Sequence, residues 1–152
     1  MTSAVRHITF DCAAPHEPYE VAQFWGRVLG HPVDPADEPG DDEVALAVPA
    51  GQPTLLFVRV PEEKSLKNRL HLDLEPDQPR DLEVERVSAL GATIVDDRRK
   101  PNGRGWVVFA DPAGNEFCIE GSAAERAVAE REGMAAPVAD AAEEEAVATE
   151  PE

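Results

Sequence analysis

Apolar and polar positions alternate twice in the same way along this chain. From Val5 to Cys12, Ile8, Phe10 and Cys12 fall on one side and His7, Thr9 and Asp11 on the other. From Leu70 to Glu75, Leu70, Leu72 and Leu74 alternate with His71, Asp73 and Glu75. A period of two marks a strand buried on one face. A proline and a helical period follow each strand. Pro18 suits a first helical turn, and Val21, Phe24, Trp25, Val28 and Leu29 then share one face before Gly30 stops the helix. Pro79 opens a looser apolar face of Leu82, Val87 and Leu90, closed by Gly91.

Two hairpins complete the pattern. Glu43–Val48 and Thr54–Val60 flank Pro49-Ala50-Gly51; Gly105–Ala110 and Glu116–Glu120 flank Pro112-Ala113-Gly114. Proline and glycine supply the dihedral angles that tight connections need. His7 and His71 are 64 residues apart, the two Leu-Gly stops 61, and the two Pro-Ala-Gly turns 63. Such near-equal offsets define an internal repeat. Each unit reads strand, helix, strand, turn, strand, with room for one more short strand. Residues 34–42 form a polar loop, and residues 61–68 link the units.

Residues 122–152 are different material. Nine carboxylates against two arginines place −7 of the net −17 there, among alanines and without an aromatic ring. Such a segment buries too little apolar area to offset its ordering entropy. A helical turn or two is expected over residues 123–132 and disorder from Gly133 onward. The net charge argues against nucleic acid and anionic membrane surfaces as partners. No apolar run approaches the length of a membrane span, and the N-terminus lacks the basic-then-apolar pattern of a secretory signal. Two cysteines, Cys12 and Cys118, are too few for a disulfide scaffold. These features suggest a cytoplasmic protein. PNGRG (residues 101–105) reads as a turn, not a phosphate loop.

DPAGNEFCIE resembles the Asp-Pro-x-Gly-Asn turn and final strand of glyoxalase-like proteins, HITFDCAAP their first strand and FWGRVLG their first helix. Over about residues 5–121 the chain resembles the vicinal oxygen chelate superfamily. That group includes glyoxalase I, bleomycin-resistance proteins, fosfomycin-resistance enzymes and extradiol dioxygenases. The resemblance implies an α+β fold of two tandem βαβββ modules, 5–60 and 69–121, forming a curved mixed sheet around a pocket. It implies a small-molecule ligand, lyase- or dioxygenase-like chemistry in members that are enzymes, and a homodimer. The alternative is a metal-free, drug-sequestering protein of the bleomycin-resistance type, for which an acidic chain would attract a cationic drug. A fold shared by so many activities does not choose among them.

In metal-using members, matching positions of the two modules supply a histidine on the first strand and a glutamate on the last. His7 and His71 match the first. The glutamate position falls seven residues after Asp111, at Cys118, and the offset of 63 puts its partner at Leu55. Neither is a carboxylate, so a metal-free pocket is expected. Were a divalent metal present, His7, His71 and Cys118 or Glu120 would be its donors, and the thiolate would suit zinc or copper better than magnesium. His7 and His71 are the candidate catalytic groups. Alternation sends Ile8, Phe10, Leu56, Val58, Leu72, Leu74, Phe117 and Ile119 to the core. It leaves Thr9, Asp11, Leu55, Phe57 and Arg59 of the first module for the pocket wall. Asp73, Trp106, Cys118 and Glu120 of the second complete it. Arg59 is expected to pair with Asp73 or Glu120, or to hold an anionic ligand group. Cys118 also reads as an inert buried thiol.

Overall fold

Each unit folds as its sequence pattern requires, and the two then share one core. The computed structural model describes residues 2–100 and 103–131. The first unit comprises β1 (His7–Ala13), α1 (Pro18–Leu29), β2 (Glu43–Ala45) and β3 (Thr54–Val60). The second comprises β4 (Leu72–Leu74), α2 (Arg80–Ala89), β5 (Thr93–Asp97), β6 (Val107–Ala110) and β7 (Glu116–Ile119). A last helix, α3 (Ala123–Arg131), follows. The strand orders are β1-β3-β2 and β4-β7-β6-β5. In both units the first strand lies parallel to the last, which pairs antiparallel with the strand before it. The additional strand is β5 in the second unit. In the first, a single bridge, Val33 to Leu46, stands in its place.

The core is a chain of rings. Phe57 stacks on Phe10 at 5.3 Å, Phe10 meets Trp25 at 5.1 Å, Trp25 meets Phe117 at 4.9 Å, and Phe117 stacks on Phe109 at 5.6 Å. Trp25 of α1 therefore joins the inner faces of both sheets, at about 0.5–1.5 kcal/mol per ring pair beyond area burial. Its indole N–H donates to Asp111 Oδ2 at 2.9 Å. From the other side, Arg86 of α2 donates to the carbonyls of Arg27 and Val28 and so satisfies the C-terminal end of α1. The units are fastened by helix α1, not merely linked in sequence.

Several sequence expectations are corrected. Leu55 and Phe57, expected at the pocket wall, are both buried in the core, and Leu56 and Val58, expected in the core, face the other way, half-buried. The register explains this: Ile8 pairs with Leu55 and Phe10 with Phe57, and paired residues share a face. TLLFVRV (residues 54–60) is apolar at most positions, so alternation alone could not set its parity. The first hairpin also runs one residue longer after Pro-Ala-Gly, with four steps from Gly51 to Leu55 against three from Gly114 to Phe117. The unit-one equivalent of Cys118 is therefore Leu56: Thr9 pairs with Leu56 as Asp73 pairs with Cys118. Leu70 lies outside β4 and Leu82 is exposed; α2 buries Val84 and Val87, with Arg80 and Glu83 beside them.

The helix expected over residues 123–132 is present as α3, opened by Ser122 and Glu125. Glu125 N–H donates to Ser122 Oγ, while the Glu125 carboxylate accepts from Ser122 N–H and hydroxyl, a capping box. The same carboxylate accepts the backbone N–H of Arg80, at the start of α2. Arg126 also pairs with Glu75. The disorder expected from Gly133 onward lies outside the described residues.

Candidate functional site

Two edge strands, β1 and β4, leave a groove between the units. Its volume is about 970 Å³. Thr9 and Asp11 of β1, His71 and Leu72 at the start of the second unit, and Lys64, Arg69, Asn115 and Glu116 line it. Glu62 and Glu63 also line it, so four carboxylates face two formal cations. Of the expected site residues, Thr9, Asp11 and His71 reach this groove. His7 is not among its lining residues; it is exposed at the start of β1, opposite Thr54. The two histidines are equivalent by repeat, but the groove is built asymmetrically around the second.

Arg59 does not pair with Asp73 or Glu120. Its guanidinium donates to both oxygens of Glu17, at 3.0 and 2.6 Å, and to Asp42 at 2.7 Å. It shares the parity of Phe57, which carries it to the start of α1 instead of the open face. Glu17 is held below the usual carboxylate range by hydrogen bonds from Arg59. Trp106 is half-buried beside β6, and its carbonyl accepts from Arg98 N–H.

A second cluster lies on the open face of the second sheet. β4 and β7 run parallel with Asp73 opposite Cys118, and His71 stands two residues before Asp73. One donor atom each of His71, Asp73 and Cys118 lies within 4.8 Å of the others. His71 Nε2 is 3.2 Å from Asp73 Oδ1. Both of these side chains are exposed; Cys118 is buried. Burial, and then the charge of Asp73, pushes the Cys118 thiol up to about 12. Asp73 was expected as a pocket residue; its meeting with His71 and Cys118 follows only from strand pairing. His-x-Asp leading into a strand is the signal that could have found it, since a period of two along extended chain puts both on one face.

Asp111, unassigned from sequence, organises the second turn. Its carboxylate accepts from Trp25 Nε1, Asn115 N–H (2.7 Å) and Asn115 Nδ2 (3.1 Å). Asn68 Nδ2 of the linker donates to Asn115 Oδ1 at 3.1 Å. This network anchors Asn115 in the groove wall. The first turn, with Val48 and Gln52 at the equivalent places, has no such carboxylate.

Paired βαβββ units around an inter-unit groove define the vicinal oxygen chelate class of proteins. The family model for the glyoxalase-like domain matches residues 7–120, and the chain belongs to that family. Among solved structures, it is similar to a single-site mutant of the genomically encoded fosfomycin resistance protein FosX from Listeria monocytogenes, complexed with Mn(II) and 1S,2S-dihydroxypropylphosphonic acid. Identity there is 19%, over 87% of this chain and 99% of that one, with a TM-score of 0.58. A glyoxalase/bleomycin resistance protein/dioxygenase family enzyme from Burkholderia phytofirmans PsJN matches at 18% identity over 77% and 97%, with a TM-score of 0.57. At these identities the likeness shows the fold. A search of the curated proteins returned no match.

The Mn(II) that the FosX mutant holds can be tested against the residues present. The two-unit set of histidines and glutamates is not reproduced: Leu55 is in the core, Leu56 has no donor, and His7 stands apart from the groove. A hard ion that wants several carboxylate oxygens finds a poor match in that set. Among the described residues, the group that does converge is His71, Asp73 and Cys118.

Proposed function

We propose that this protein binds a small, cationic organic molecule in the groove between β1 and β4. The observation that carries the reading is the groove itself: about 970 Å³, walled by both units and their linker, where Glu116 is paired with Lys67 and Asp11, Glu62 and Glu63 still outnumber Lys64 and Arg69. That volume is at the upper end of pockets for drug-sized ligands. The chain's net charge of −17 adds long-range attraction for a cation. Homodimer formation and a cytoplasmic location belong to the same proposal, supported by the family resemblance. No helix among the described residues is long and apolar enough to cross a membrane.

Calorimetric titration with bleomycin as the cationic probe, and with glutathione as an anionic one, tests the reading. Binding of bleomycin that weakens with salt and in Asp11→Asn and Glu63→Gln is expected. Equal binding of both probes, or of neither, refutes it. His71 favours a second, lyase-type reading, because it places an imidazole, the side chain most often used as a general acid or base, in the groove wall beside Asp73. Turnover of the methylglyoxal–glutathione adduct, lost in His71→Ala, would establish that reading over simple sequestration.

A further inference from the structure

We propose that His71, Asp73 and Cys118 form a one-unit site for a borderline-soft divalent cation, with zinc as its best occupant. Three different donors meet there, all within 4.8 Å of one another, so small side-chain rotations bring them to the roughly 3–4 Å that separates ligands bound about 2.0–2.3 Å from one tetrahedral ion. Two come from facing positions of parallel strands, and the third stands just before β4, two residues from Asp73, with its Nε2 3.2 Å from Asp73 Oδ1. The donor types are imidazole, carboxylate and thiolate. Thiolate and imidazole together suit zinc or copper and discriminate against magnesium and manganese, which prefer oxygen; of the two, zinc takes mixed nitrogen, oxygen and sulfur donors without a redox change. Metal binding displaces the thiol proton to solvent as the metal–sulfur bond forms.

The surroundings fit a cation. Glu120 lies on the same face as Cys118, two residues on, and adds negative charge; Lys67, whose charge acts on Cys118, is engaged 3.1 Å from Glu116. The site keeps two positions of the ligand set that the family resemblance implies, His71 and Cys118, and departs from it in the rest. It draws nothing from the first unit, where Leu55 is buried and Leu56 has no donor atom, and it recruits Asp73, one strand across, as its carboxylate. Three protein donors leave a tetrahedral ion one open position. The cluster is distinct from the groove occupant proposed above, although His71 belongs to both.

Cobalt(II) titration of the full chain tests the assignment without any assay of turnover. One equivalent of Co²⁺ should produce sulfur-to-cobalt charge-transfer absorption in the near ultraviolet, and one equivalent of Zn²⁺ should remove it. Excess Mg²⁺ or Mn²⁺ should not. Cys118→Ser should abolish the band. His71→Ala and Asp73→Asn should each weaken zinc binding by more than the roughly 10–100-fold that loss of an outer-shell partner costs. Circular dichroism of each variant confirms that it folds. Absence of a band in the folded wild type would overturn the proposal. So would a band that survives in Cys118→Ser, because it would come from Cys12, the chain's other thiol. Zinc affinity unchanged in both His71→Ala and Asp73→Asn would overturn it as well.

Discussion

Replacing Asp111 by alanine should loosen the two units from one another. The Asp111 carboxylate is 4% exposed and accepts three hydrogen bonds, from the Trp25 indole and from the backbone and side chain of Asn115. Hydrogen bonds to a charged acceptor contribute about 1.5–3 kcal/mol each, and a buried donor left without a partner costs about 1–3 kcal/mol. The three share one acceptor and do not add, so a loss of about 3 kcal/mol is the working figure. For a domain of this size that lowers Tm by roughly 10 °C. The assay is urea unfolding followed by tryptophan fluorescence and circular dichroism, with the m-value fixed by a global fit. Asp111→Asn discriminates further. Its amide would present a donor where Oδ2 now accepts from Trp25 and Asn115, or else where Oδ1 accepts from the Asn115 backbone; about 2 kcal/mol should be lost. A cycle with Trp25→Phe isolates the bond between the units, with a coupling of about 1–3 kcal/mol expected. A change within about 0.5 kcal/mol for Asp111→Ala, the size of an ordinary surface substitution, would refute this account of the second turn.

Other outcomes follow from the same coordinates. Burial and nearby carboxylates push the Cys12 and Cys118 thiols up to about 12, so alkylation by iodoacetamide at pH 8 should be slow in the folded, metal-free protein and fast in urea. Asp97 is held at about 2 by hydrogen bonds from Arg99. Its folded value lies below its unfolded one, so its contribution to stability is complete above about pH 4 and is lost as pH falls through about 2. Asp97→Asn should therefore flatten that acid limb in pH-dependent urea melts; an unchanged limb would count against the pair. Deleting Gln52 shortens the first hairpin to the length of the second and should cost about 1 kcal/mol, since the loop is exposed and the one hydrogen bond lost is that of Gln52 N–H to the Pro49 carbonyl. Loss of cooperative unfolding would show that the extra residue is structural. Glu125→Ala removes one carboxylate from the starts of two helices and should cost about 1 kcal/mol, measured by chemical denaturation.

The periodicities of this chain determined a good deal by themselves. Alternation at His7–Cys12, the apolar face from Val21 to Leu29 and the repeated Pro-Ala-Gly are local signals of period and turn chemistry, and they carried the repeat, the element order and the fold class. Local signals fail where several readings share one pattern. TLLFVRV is apolar on both faces, so only pairing with β1 could decide that Phe57 goes inward and Leu56 outward. Arg59 could meet any carboxylate within reach, and its position near the start of α1 selected Glu17. His7 and His71 are equivalent by repeat, yet the groove between β1 and β4 takes one of them. The pair Asp73–Cys118 joins residues far apart in sequence that only the parallel register of β4 and β7 brings together. The turn at Asp111 was legible as a fold marker. That its carboxylate is the acceptor for Trp25 required the packing of α1 against both sheets, because a hydrogen bond across 86 residues leaves no trace in local periodicity.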